Sequence, residues 1–131
     1  MPKPAKCKFM KSHEWVYLEG DTAVVGVSDH AQHEISDVVF VELPKVARKV
    51  THGEACAVVE SVKAAFDIYS PVSGEIASVN DAVVKDPAML NRAPQEEGWL
   101  FKVKVSKPEE LNGLMDWAKY QEFVKSAAAH G

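Results

Sequence analysis

The chain has 131 residues, of which 47% are hydrophobic and 26% charged, and this composition predicts a single domain over residues 1–131 with one core. The formal net charge of −4, with acids and bases interspersed, excludes a nucleic-acid surface that follows phosphates. The longest apolar runs are far shorter than a bilayer requires, so we predict a soluble protein that does not enter membranes.

The N-terminal part of the chain predicts a hairpin followed by a short helix. Runs rich in β-branched and aromatic residues predict strands at Glu14–Glu19 and Thr22–Val27, which a Gly-Asp link joins. Gly26 interrupts the second run and indicates either a bulge or a close approach of another group. Ser28 then provides an N-cap for a helix of about two turns, Asp29–Ile35.

The middle of the chain predicts a further strand and then a hairpin that carries a lysine. Val38–Leu43 has apolar residues at both even and odd positions, so both faces of a strand here would be apolar. This pattern predicts a strand buried along most of its length. Within the stretch from Ala57 to Pro71, two β-prone runs flank a link from Ser61 to Ala65 that contains neither glycine nor proline. Such a link is unusual, because the favoured hairpin turns need positive φ angles. Lys63 lies at the tip and has no carboxylate beside it in the turn.

The C-terminal part adds two strands and several short helices. Glu75–Val79 alternates polar and apolar residues, and Gly98–Val105 gives the last clear strand. A proline can open a short helix at Ala88–Leu90, and Asp116 can cap a final helix with an apolar stripe. The stripe consists of Trp117, Tyr120, Phe123 and Val124. The predicted fold class is therefore mainly β with short helices, as a flattened β barrel or sandwich with a C-terminal helix.

Other patterns in the sequence point more weakly to chemistry. His30 and His33 have a spacing that can present two ligands to one metal, but no third ligand is placed beside them, so we predict no metal site. Ser12, His13 and Glu14 combine a hydroxyl, an imidazole and a carboxylate, yet neighbours along a strand point to opposite faces. A glycine-rich phosphate loop is missing from the sequence. We therefore predict that the protein is not an enzyme. From the residues alone, Lys63 is either a solvated surface lysine or, if it has a role, a point of attachment rather than a base.

Several motifs in the sequence match one known family in order and spacing, from about Lys6 to Val124, which we take as the core of the domain. They are Ser12-His13-Glu14-Trp15-Val16, Val24-Val25-Gly26-Val27-Ser28-Asp29-His30-Ala31-Gln32, Asp37-Val38-Val39-Phe40-Val41-Glu42-Leu43-Pro44, Glu60-Ser61-Val62-Lys63-Ala64, Ser70-Pro71-Val72-Ser73-Gly74-Glu75, Gly98-Trp99-Leu100 and Pro108-Glu109-Glu110-Leu111. They resemble the glycine cleavage system H-protein family, and Lys63 stands where that family has its lipoylated lysine. Ser36 departs from the pattern, because the family often has glycine there, and Lys45–Val50 is more basic than usual.

The resemblance implies a lipoyl-carrier domain with lipoic acid joined to Lys63 by an amide. The residues Glu60, Ser61, Val62 and Ala64 flank the attachment site. The family implies a non-enzymatic carrier, whose arm takes the aminomethyl group of glycine from glycine decarboxylase, a pyridoxal-phosphate enzyme, to the aminomethyltransferase. Dihydrolipoamide dehydrogenase then reoxidises the dithiol, and a lipoate ligase or lipoyltransferase attaches the group in the first place.

A carrier of this kind has one further task, which is to keep its loaded arm from water. The aminomethyl adduct is labile, and folding the arm against the protein would exclude solvent. A carboxylate near the arm can hold the protonated amine by a charge-assisted hydrogen bond. We hypothesise that Glu14 and Asp67 do this, with His33 or Glu34 nearby.

Two other functions share part of the pattern. A lipoyl donor for lipoate-transfer enzymes would use the same lysine without glycine turnover. A biotin carrier uses a similar hairpin but has methionine on both sides of its lysine, where this chain has Val62 and Ala64. We expect a mitochondrial matrix location in a eukaryote, with the targeting segment absent here, or the cytoplasm in a bacterium. Either compartment would keep Cys7 and Cys56 as reduced thiols.

Overall fold

The computed structural model describes residues 3–130, with side chains through Ser126. These residues form nine strands, four α-helices and two 3-10 helices. The strands are β1 (Lys8–Phe9), β2 (Glu14–Glu19), β3 (Thr22–Val27), β4 (Val38–Glu42), β5 (Lys49–Val50), β6 (Ala55–Ser61), β7 (Ala65–Tyr69), β8 (Gly74–Val79) and β9 (Phe101–Val105), the α-helices are α1 (Asp29–Ile35), α2 (Asp81–Lys85), α3 (Met89–Arg92) and α4 (Trp117–His130), and 3-10 helices cover Pro4–Lys6 and Pro108–Gly113.

The strands form two antiparallel sheets that pack as a flattened sandwich. One sheet has the order β1-β2-β3-β9-β8-β5, and the other has the order β4-β6-β7. Aliphatic side chains from both sheets make the main core between them, which confirms the sandwich form of the predicted fold. Buried members include Val25, Val41, Val59, Ile68, Ile76 and Leu100.

Most predicted elements lie where the residue patterns place them. The β2–β3 hairpin pairs in register from Glu14 with Val27 to Glu19 with Thr22. The Oγ atom of Ser28 accepts the N–H of Ala31 at 3.0 Å, as an N-cap of α1 should. Sequence patterns missed β1, β5 and α2, because elements of two to five residues are too short to show a period.

The strand β4 is buried less than predicted. Val38 and Val41 are buried, but Val39 is 55% exposed and Phe40 46% exposed. A bulge between Val38 and Phe40 breaks the simple alternation of faces, and β4 is an edge strand of the smaller sheet. The prediction of a strand buried along most of its length is therefore wrong.

A second, mostly aromatic cluster contains Phe9, Trp15 and Tyr120. The rings of Phe9 and Tyr120 stack with their centroids 4.3 Å apart, and this contact joins α4 to β1. The predicted apolar stripe of α4 therefore packs on the sheet. Gly26 pairs with Trp15, and a Cβ atom at Gly26 would lie 2.6 Å from the Trp15 ring, which confirms a close approach as the reason for glycine there.

None of the helices among the described residues is long and apolar enough to cross a membrane.

Candidate functional site

Lys63 projects from the end of the smaller sheet. The hairpin β6–β7 closes with the pair of Glu60 and Ala65, so Val62, Lys63 and Ala64 form its tip, as the sequence predicts. The side chain of Lys63 is exposed. A lysine presented in this way is accessible to an enzyme that acts on its amine.

The side chain of Ser61 explains how the turn forms without glycine. Its Oγ atom accepts the backbone N–H of Lys63 at 3.0 Å and that of Ala64 at 3.2 Å. The N–H of Ser61 donates to the carbonyl of Ala64 at 2.8 Å and closes the turn. These bonds satisfy the turn amides through a hydroxyl, and none of the residues at the tip has a positive φ.

Two backbone carbonyls at the C-terminal end of α1 tie the tip to the rest of the fold. The N–H of Val62 donates to the carbonyl of Asp37 at 3.0 Å. Nζ of Lys63 donates to the carbonyl of Glu34 at 3.3 Å. The ion pairs found among the described side chains do not include Lys63, so its amine is not held by a carboxylate.

Asn91 of α3 fixes the loop between α1 and β4, which contains Asp37. Its Nδ2 donates to the Ser36 carbonyl at 2.8 Å and to Oε1 of Gln32 at 3.1 Å, and its Oδ1 accepts the N–H of Val38 at 2.9 Å. Ser36 itself has φ 74° and ψ −160°, a conformation that favours glycine. Sequence reasoning missed Asn91, because its contacts are 53 to 59 residues away in the chain.

Glu14 is a buried carboxylate with protein partners of its own. Its side chain accepts the N–H of Tyr69 at 2.7 Å and the hydroxyl of Ser12, and the residue is 1% exposed. Burial raises the pKa of Glu14, and the two hydrogen bonds oppose that rise. An ordinary exposed carboxylate is therefore not the right description of Glu14.

Asp67 lies exposed on β7, two residues before Tyr69. It forms one wall of a cleft of about 450 Å³, and its cross-strand neighbour Val58 lines the same cleft. Because successive residues of a strand advance by about 3.3 Å, Asp67 is about 7 Å along β7 from the amide that Glu14 binds. The structure thus brings the two predicted arm-binding acids to the same strand.

His33 and Glu34 lie on α1, at some distance in sequence from the tip. The Glu34 carbonyl contacts the amine of Lys63, while its carboxylate lies 3.5 Å from Nε2 of His30. Nδ1 of His33 lies 3.6 Å from Oδ2 of Asp29 and 3.0 Å from the Asp29 carbonyl. The predicted group of four residues is therefore divided among β2, which carries Glu14, β7, which carries Asp67, and α1, which carries His33 and Glu34.

The remaining candidates do not assemble into an active site. Nδ1 of His13 lies 2.8 Å from the hydroxyl of Tyr120, away from the Ser12 and Glu14 pair, and burial lowers the pKa of His13. Among residues 3–130 the structure shows no cluster of three ligating side chains for a metal. Burial raises the pKa of Cys7 to about 11 and that of Cys56 to about 12, which makes both thiols poor nucleophiles.

The fold and the site define a β-rich domain whose distinguishing feature is one accessible lysine on a hairpin. The family model for the glycine cleavage H-protein matches residues 7–127. The chain belongs to this family, whose members are lipoyl carriers.

Relatives in other organisms agree with this membership. The glycine cleavage system H protein of Phenylobacterium zucineum is 51% identical over 120 residues, covering 92% of this chain and 99% of the relative. The mitochondrial H protein of Oryza sativa subsp. indica is 49% identical over 123 residues, covering 94% of this chain and 75% of the relative. The crystal structure of an H protein from Mycobacterium marinum superposes with a TM-score of 0.84 at 34% identity, covering 92% of this chain and 97% of that chain.

Proposed function

We propose that this chain is the lipoyl carrier of a glycine cleavage system, with lipoic acid joined by an amide to Nζ of Lys63. The observation that carries the proposal is the amine itself, which is exposed at the tip and bonded to the backbone carbonyl of Glu34 rather than to a carboxylate. Acylation needs an accessible amine, and it replaces the lysine charge with a neutral linkage.

The residues around Lys63 act by presenting the attached group. When bound, lipoic acid would supply a dithiolane whose S–S bond opens as one sulfur takes the aminomethyl group, and the dithiol left after transfer would be reoxidised by dihydrolipoamide dehydrogenase. Ser61 holds the turn, and the carbonyl of Asp37 anchors it to the body of the protein. A short tether of this kind gives its end group an effective concentration on the order of millimolar at a docked enzyme.

The proposed partners act in sequence on the same lysine. A lipoate ligase or lipoyltransferase attaches the group, glycine decarboxylase loads it, the aminomethyltransferase unloads it, and dihydrolipoamide dehydrogenase reoxidises it. The setting we propose is the mitochondrial matrix in a eukaryotic cell and the cytoplasm in a bacterial cell.

We also propose that Glu14 and Asp67 shelter the loaded arm along β7. Lys63 and Asp67 are four residues apart, so at most about 14 Å of chain separates them, within the reach of a lysine extended by lipoic acid. Asp67 is exposed at the cleft and is free to accept a protonated amine. Glu34, whose carbonyl contacts the Lys63 amine, and His33, the residue before it on α1, complete the proposed group.

Mass spectrometry of the peptide from Val58 to Tyr69 tests the attachment. Native protein should carry the mass of a lipoyl group on Lys63, and Lys63→Arg should abolish both the modification and glycine cleavage in a reconstituted system. An unmodified Lys63 in cells that lipoylate other proteins would overturn the proposal. Lipoylated protein that supports no glycine cleavage would favour the lipoyl-donor alternative.

The shelter has a separate test. Purified protein is loaded with the aminomethyl group, the enzymes are removed, and the release of the group is followed over time. Asp67→Asn should speed release several-fold, and Glu14→Gln with Asp67→Asn should speed it further. Release at the wild-type rate in the double variant would rule the shelter out.

A further inference from the structure

Three of the six exposed large hydrophobic residues on the described surface lie beside the Lys63 tip. They are Val62 at 68% exposure and Val39 and Phe40 on β4, whereas Leu18, Val46 and Val84 lie apart from one another in the chain. Phe40 pairs with Glu60 and Val38 pairs with Ser61, so the two exposed residues of β4 lie beside the end of β6 that leads to Val62. Burying such a group against another protein is favourable, whereas leaving it in water has no structural benefit.

The two segments that build this surface hold the net charge of the chain, while Lys45 and Arg48 lie at its edge, in the cleft that Glu42 and Asp67 line. Residues 34–42 and 58–67 together contain five acids, which are Glu34, Asp37, Glu42, Glu60 and Asp67, and one base, Lys63. The rest of the chain has fourteen acids and fourteen bases, so the whole formal charge of −4 lies in these two segments. Acylation of Lys63 removes the one positive charge among them.

We propose that Val39, Phe40 and Val62, surrounded by these acids, form the docking surface for the enzyme that acylates Lys63, a partner with an apolar recess and a basic rim. The inference rests on the proposed lipoylation and adds the surface that the partner contacts. Opposite charge around an apolar centre is the usual composition of a specific, salt-dependent interface.

Phe40 lies within the area that an interface centred on the Lys63 tip would cover. A standard interface covers about 800 Å² on each partner, which corresponds to a disc of about 16 Å radius. Phe40 pairs with Glu60, three residues from Lys63, and so lies about 11 Å from the tip by strand geometry. A partner centred on the tip therefore covers Phe40.

Phe40 distinguishes recognition of the folded surface from recognition of a linear segment. It is 23 residues from Lys63 in sequence, so a partner that reads only the peptide around the lysine does not contact it. Leu18, on β2 of the other sheet, is a matched control because it is also an exposed apolar residue on a strand, at 37% exposure. Threonine at either position keeps a good strand former.

The experiment measures acylation of the full-length, unmodified protein by a lipoate ligase with lipoate and ATP. Phe40→Thr should raise KM for the protein about ten-fold with kcat within two-fold, and Leu18→Thr should leave both within two-fold. Val62→Thr, a nearly isosteric change on an exposed turn, should raise KM by about three-fold and serves as a second variant should Phe40→Thr fold poorly. Raising the salt concentration should increase KM for every variant while the ratio of Phe40→Thr to wild type persists.

Several outcomes would overturn the docking surface. One is a KM equal to that of wild type for both Phe40→Thr and Val62→Thr. Another is a rise in KM for Leu18→Thr as large as that for Phe40→Thr. A third is that the variants react poorly with the aminomethyltransferase but normally with the acylating enzyme. The failure of the proposed function looks different, because wild-type protein would then not be acylated at all.

Discussion

The backbone N–H of Tyr69 donates to Oε2 of Glu14 at 2.7 Å, and this contact joins the two sheets of the protein. Glu14 begins β2 of the larger sheet, and Tyr69 ends β7 of the smaller one. The bond lies at the base of the hairpin that carries Lys63. The position of that hairpin therefore depends on one buried carboxylate from the other sheet.

Replacing Glu14 should change stability in a way that depends on pH. Glu14→Ala leaves the Tyr69 amide without its acceptor and should lower the free energy of unfolding by about 1–2 kcal/mol. Burial raises the pKa of Glu14, so the folded protein binds this proton more tightly than the unfolded chain does. The associated stability is fully present below the unfolded pKa and is lost as pH rises through the folded pKa.

Glutamine does not titrate and serves as the reference. The difference in unfolding free energy, wild type minus Glu14→Gln, should decrease as pH rises above 4.5, the ordinary pKa of a glutamate, and level off beyond the folded pKa. Urea denaturation of both proteins at a series of pH values from acid to neutral measures this difference in unfolding free energy. A difference that does not vary with pH would contradict the raised pKa.

Removing the hydroxyl of Ser61 should loosen the lysine turn. Ser61→Ala deletes the acceptor of the Lys63 and Ala64 amides, at a cost of about 1 kcal/mol. Amide hydrogen exchange at these two residues should become faster, and lipoylation of Lys63 should slow. Ser61→Thr keeps a hydroxyl and should behave much like wild type; equal effects of Ala and Thr would argue against the hydroxyl as the cause.

Glycine at position 36 should stabilise the protein. Ser36 has φ 74° and ψ −160°, and a Cβ atom in this region costs about 1 kcal/mol or more. Ser36→Gly should raise the free energy of unfolding by about 1 kcal/mol in chemical denaturation. Ser36→Ala retains the Cβ atom and should give no gain, so an alanine variant as stable as the glycine variant would count against strain at this residue.

Asn91→Asp should detach the loop beneath the Lys63 tip. The change places a carboxylate oxygen where Nδ2 donates to Ser36 and Gln32, and should cost about 2–3 kcal/mol. Amide exchange at Val62 should accelerate, because its acceptor Asp37 lies in that loop. Asn112→Asp, at an exposed residue, is the control and should change neither quantity. Unaltered exchange at Val62 would show that the loop is held by other contacts.

An alanine at Gly26 should disturb the packing of Trp15. Its Cβ atom would lie 2.6 Å from the indole ring, and overpacking of this kind costs about 1–3 kcal/mol. Thermal unfolding should show a lower Tm for Gly26→Ala. Gly113→Ala, where an added Cβ atom meets open space, should leave Tm unchanged; similar Tm values for the two variants would mean that the sheet adjusts without cost.

The strands, the capped helix α1 and the lysine hairpin could be predicted because their signals are local. Alternation marks a strand, and Ser28 or Asp116 marks the start of a helix through its own side chain. The tip at Val62 to Ala64 was also predictable from the ends of two β-prone runs. The resemblance of this segment to a lipoylation site was recognised from the identities of its residues and did not need the fold.

The supporting residues could not be predicted, because they act across long sequence separations. Asn91 bonds to a loop more than 50 residues away in the chain. The burial of Glu14 depends on its contact with β7 of the other sheet. The exposure of Phe40 follows from a bulge in β4, which apolar composition alone does not reveal. Each of these features concerns contact between elements and leaves no period in the sequence.

The bulge in β4 also affects how readily the protein self-associates through the edges of its smaller sheet. The smaller sheet has two free edges, β4 and β7, and an unpaired edge invites strand addition by another molecule. The bulge interrupts the regular ladder on one edge, and the carboxylate of Glu14 occupies the Tyr69 amide on the other. Both edges of the sheet that carries the Lys63 hairpin are thereby made less favourable for strand addition by a second copy of the protein.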